Sequence, residues 1–159
     1  MEPTLFLSEE EIVYRAPSIE ETGTVRYAPP FTVRLAEVKI VGYVPRIITD
    51  DESGFLVFVI STGRINYFNL DIVDEVMVEK LEDIFNFRLR EIPSIPFEDT
   101  NRHSFIVYPQ GLAGHSLFKS WSWLTPRGFL KNLGKSLSLD NPSWEQLTSG
   151  AQAYLAEKF

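Results

Sequence analysis

The chain has 159 residues, of which 44% are apolar, 23% charged and 13% aromatic. That is a globular composition, and it excludes disordered, collagen-like and coiled-coil readings. Cysteine is absent, which excludes disulfides, thiolate zinc sites and cysteine nucleophiles.

The formal net charge of -7 is divided unevenly. Residues 1–86 carry 7 Lys and Arg against 16 Asp and Glu, whereas residues 87–159 carry 8 against 6. Between Asp99 and Asp140 there is no acidic residue. Such asymmetry bears on partners and association, not on fold. The start, Met1-Glu2-Pro3, has neither the basic nor the apolar region of a secretory signal. The longest apolar run, Phe55 to Ile60, is far short of the roughly 20 residues of a membrane-spanning helix. The expectation is a cytoplasmic protein with a single domain over residues 1–159 and a soft boundary near 87–98.

In chain order, residues 11–15 and 23–27 read as short strands, punctuated by Pro17, Pro29 and Pro30. Residues 31–44 are rich in β-branched residues, with Val33 and Leu35, then Val38 and Ile40, alternating with charges. Residues 55–60 are continuously apolar, which predicts a strand covered on both faces. Ser61-Thr62-Gly63-Arg64 reads as a hairpin turn with Gly63 at positive φ, and 65–70 as the returning strand.

Residues 72–86 predict a helix with Asp71 as N-cap. Ile72, Val73, Val76, Met77, Leu81, Ile84 and Phe85 recur at helical spacing, and Asp74, Glu75, Glu79, Glu82 and Asp83 lie largely off that stripe. Residues 87–92 read as a strand, 93–96 as an extended loop set by Pro93 and Pro96, and 104–108 as a further strand. Gly111 and Gly114 mark a turn. Helices then follow over about 115–158, the last of them capped by Asp140 or Asn141 ahead of Pro142.

Sheet first and helices last predicts an α+β fold with mainly antiparallel pairing in the first two thirds. Several strands closed by an amphipathic helix, as in 31–86, resemble a pleckstrin-homology-like arrangement. That resemblance implies a barrel over residues 9–86 as the alternative fold.

Motifs for chemistry are sparse. His103 and His115 lack H-x-x-x-H or H-E-x-x-H spacing, so no metal is expected. The nucleophile elbow G-x-S-x-G and both phosphate-binding glycine loops are absent. Ser116-x-x-Lys119 lacks the companion motifs of a Ser/Lys enzyme, and Gly111-x-x-Gly114 follows a strand and reads as a turn. No catalytic residue and no cofactor is expected.

Two charged regions remain as binding candidates. The acidic one comprises Asp50, Asp51 and Glu52 together with Asp74, Glu75, Glu79 and Glu82. It suits a basic protein partner, which an acidic surface steers into fast association. A small acidic chain of this kind has the character of a non-enzymatic inhibitor, immunity-type or adaptor protein. The second region is the basic aromatic stretch 115–139, with Lys119, Arg127, Lys131, Lys135, Trp121 and Trp123. It suits nucleic acid or anionic lipid. A hydrolase using His103 or His115 is the third reading.

Overall fold

The computed structural model describes residues 3–17, 28–45, 54–70, 73–91, 104–118 and 147–157. Seven strands and two α-helices fall within them: β1 (Thr4–Leu7), β2 (Glu11–Arg15), β3 (Phe31–Arg34), β4 (Val38–Pro45), β5 (Gly54–Ile60), β6 (Ile65–Asn69), α1 (Glu75–Phe85), β7 (Phe105–Tyr108) and α2 (Ser149–Ala156). The fold is α+β. The strands form two antiparallel sheets, one ordered β1-β2-β3 and the other β6-β5-β4-β7.

These sheets do not close into a barrel, which corrects the pleckstrin-homology-like alternative for residues 9–86. The reason lies between β3 and β4. The 3-10 turn Leu35–Glu37 interrupts what reads in sequence as one strand over 31–44. The chain therefore leaves the first sheet at Arg34 and starts the second at Val38.

The continuous apolar run of β5 has the predicted cause. Leu56 and Phe58 point into one core, with Ile12, Tyr14, Phe31, Phe68, Leu81 and Phe85. Phe55, Val57 and Val59 point into a second, with Ile40, Ile106, Leu117, Phe118 and Leu147. The second sheet is thus a central layer, covered on one side by the first sheet and α1 and on the other by the C-terminal segments. Period-two alternation puts apolar residues on both faces only where both are covered.

Phe58 sits among three rings, Phe68 at 5.9 Å, Phe31 at 6.2 Å and Phe85 at 6.3 Å between centroids. Tyr14 joins them 5.8 Å from Phe68. Each such pair contributes about 0.5–1.5 kcal/mol beyond its buried area.

In β4 the register shifts between Val38 and Ile40. Val38 belongs to the first core and Ile40 to the second, although alternation alone places them on one face. A bulge supplies the extra residue that reverses the face. Gly42 follows on the second-core side, where Leu117 crosses β4 and occupies the space of a Cβ.

The expected helices over about 115–158 are corrected in part. Leu117 and Phe118 are buried, and residues 116 and 118 form isolated bridges with Phe105 and Leu147. Helix occurs from Ser149, capped by the Thr148 hydroxyl, which accepts the Ala151 N–H at 3.3 Å. The N-cap positions predicted at Asp140 or Asn141 and the strand predicted at 23–27 lie outside the described residues.

Candidate functional site

The helix predicted over 72–86 runs from Glu75 to Phe85, and its N-cap is Asp74 rather than Asp71. The Asp74 carboxylate accepts the Val76 N–H at 2.9 Å, and the aspartate also favours the positive end of the helix dipole. At the other end Asn86 adopts the left-handed conformation, with φ 55°, and donates its N–H to the Glu82 carbonyl. Phe87 donates to the same carbonyl at 3.0 Å. Asn is among the few residues that take this conformation cheaply.

This cap reverses the chain, and residues 87–91 do not form the strand expected over 87–92, whose last residue lies outside the described residues. Leu89–Glu91 is instead a 3-10 turn. Its position is fixed from α1, because the half-buried Glu82 accepts the Leu89 N–H on Oε2 at 3.1 Å. Arg88 forms an ion pair with Asp83 at 2.8 Å and donates to the Phe87 carbonyl at 2.8 Å. The guanidinium also provides the cation that the last turn of α1 lacks.

Between α1, this turn and the ends of β5 and β6 lies a cleft of about 660 Å³. Leu70, Val78 and Leu89 give it an apolar, half-buried lining. Five carboxylates line it, those of Glu75, Glu79, Glu82, Asp83 and Glu91, with the guanidiniums of Arg88 and Arg90. Two of the five are engaged, Glu82 with the backbone and Asp83 with Arg88. Glu75 and Glu79, four residues apart on the exposed side of α1, make no ion pair among the described residues.

No protein-family model, curated protein or solved structure matches the chain.

Of the sequence-predicted acidic residues, Glu75, Glu79 and Glu82 meet in the cleft, and Asp74 serves as a cap beside it. Asp50, Asp51 and Glu52 lie outside the described residues, as do Lys119, Trp121, Trp123, Arg127, Lys131, Lys135 and His103. His115 is half-buried, and its backbone accepts from Ile106 at 2.7 Å and donates to Leu112 at 3.1 Å. No group of three or more His, Asp or Glu suited to a metal occurs among the described residues. No helix among them is long and apolar enough to cross a membrane.

Sequence reasoning missed Arg88, Leu89 and Arg90 as cleft residues. Phe87, Leu89 and Glu91 alternate with arginines, which imitates a strand. The signal against it is Asn86 directly after an amphipathic run, a C-cap residue that stops the helix and turns the chain.

Proposed function

We propose that the protein is a non-enzymatic binding module that receives a basic segment of a protein partner in the α1 cleft. The observation that carries this reading is the pair Glu75 and Glu79. Both face one cleft, and neither carboxylate is neutralised by an ion pair among the described residues. Like charges four apart on a helix repel by about 0.2–0.5 kcal/mol, and a partner's lysine or arginine relieves that repulsion. The apolar lining from Leu70, Val78 and Leu89 adds a seat for an anchor side chain. An inhibitor, immunity-type or adaptor role is the kind of function such a module serves.

The test uses a fluorescein-labelled peptide with a leucine flanked by lysines, followed by anisotropy. Binding should weaken steeply as salt rises from about 0.02 to 0.3 M. Glu75→Gln with Glu79→Gln should lower affinity by roughly three- to tenfold at low salt, the scale of two partly exposed charge pairs. Equal affinity of the variant and the native protein refutes the cleft as the partner site.

A further inference from the structure

The cleft is acidic, yet it keeps a cation unused. Arg90 lines it and makes no ion pair among the described residues, although five carboxylates share the same cleft. Arg88 differs, being held by Asp83 and the Phe87 carbonyl. The cleft charges without an ion pair among the described residues are Glu75 and Glu79 on α1 and Arg90 and Glu91 on the 3-10 turn, with Leu70, Val78 and Leu89 also lining the space. Arg90 is the one cation of the cleft without an ion pair among the described residues, and its neighbour Glu91 lines the cleft as well.

A uniformly basic ligand would meet Glu75 and Glu79 favourably and Arg90 unfavourably. We propose that the cleft recognises a peptide segment of mixed charge, in which an apolar side chain is flanked by a base on one side and an acid on the other. The base meets Glu75 and Glu79, the apolar side chain fills the space lined by Leu70, Val78 and Leu89, and the acid meets Arg90. This inference rests on the cleft being the partner site, and it adds specificity to that reading. A wrong partner lacking the acid is disfavoured by an unpaired guanidinium, an arrangement that discriminates as well as attracts.

Two labelled peptides of equal length test it, one with a lysine-leucine-aspartate core and one with lysine-leucine-asparagine. The native protein should bind the aspartate peptide roughly threefold more tightly, the scale of one partly exposed charge pair. Arg90→Gln should abolish that preference and tighten binding of the asparagine peptide. Arg90→Lys should restore part of the preference, which a merely structural role for Arg90 would not produce. Arg90 is exposed, so equal unfolding midpoints of the variants should confirm that the fold is intact. Equal or tighter binding of the asparagine peptide by the native protein overturns the inference. If the preference is absent while Glu75→Gln with Glu79→Gln still weakens binding, only the mixed-charge inference fails. If neither peptide binds, or neither responds to the glutamate changes, the partner-site reading fails with it.

Discussion

Gly63 stands at φ +88° in the turn between β5 and β6, and a Cβ there would meet nothing within 4 Å. Its requirement is purely one of backbone conformation, so Gly63→Val should cost about 1–3 kcal/mol through strain. Gly63→Asn should cost less, because Asn tolerates this region. Denaturant midpoints of the two variants check the order. Gly42 is the reverse case, limited by space and not by φ. A methyl group would strike the Leu117 side chain, and overpacking of this kind costs about 1–3 kcal/mol. Shortening Leu117 in the same chain should recover part of that loss, measured as a double-mutant cycle. The first glycine was legible from Ser-Thr-Gly-Arg between two apolar runs. The second was not, because its constraint comes from a residue remote in sequence. Tyr154 adds a pH dependence. Burial pushes its phenol above the ordinary 10.0, and Tyr108 and Glu157 add to the shift. The folded state then holds the proton more tightly than the unfolded chain. The stability this provides is complete below about pH 10 and is lost as pH rises through the folded value. Tyr154→Phe should therefore flatten the alkaline limb of unfolding midpoint against pH.

Among the elements, α1 was the most legible, and the way its stripe divides is informative. Leu81 is fully buried and Phe85 is buried, whereas Val76 and Ile84 are 51% and 46% exposed. The apolar spacing fitted seven residues to one face, but the first core reaches only the arc around Leu81. Val76, Lys80 and Ile84 are spaced by four along the exposed flank. Leu81→Ala should thus cost about 2–5 kcal/mol by cavity formation. Ile84→Ala should change the unfolding midpoint little, within about 0.5 kcal/mol, as for a surface substitution. A large loss at Ile84 would mean that this flank is covered. The strands of the second sheet were legible where turns or continuous apolar runs bounded them. The break at Leu35–Glu37 and the bulge at Lys39 were not, since neither contains Gly or Pro to mark it.

At the scale of the whole molecule, the sequence showed an acidic first part, but folding decides which acids act together. Reversing Glu75, Glu79 and Glu82 as one set would mix two effects, because Glu82 holds the Leu89 N–H and shapes the cleft. Glu75→Lys with Glu79→Lys leaves that bond in place. Neither residue makes an ion pair among the described residues, so little native interaction is lost. A lysine at the first position of α1 opposes the helix dipole by about 0.3–1 kcal/mol. The lysine introduced by Glu79→Lys gains attraction to Asp83, four residues on, a term of about 0.2–0.5 kcal/mol that partly offsets this. The unfolding midpoint of the isolated protein should accordingly move little and depend weakly on salt. Association with the lysine-containing peptide should behave differently, slowing at low salt and losing its salt dependence. The double reversal also changes the formal net charge from -7 to -3, two units per residue, and that alone weakens long-range steering. Glu9→Lys with Glu10→Lys gives the same net charge from exposed positions between β1 and β2, outside the cleft. If the cleft is the site, the Glu75 and Glu79 pair should slow association far more than the Glu9 and Glu10 pair, measured by stopped-flow at matched ionic strength. Equal slowing by the two pairs would assign the effect to net charge and remove the α1 cleft from recognition.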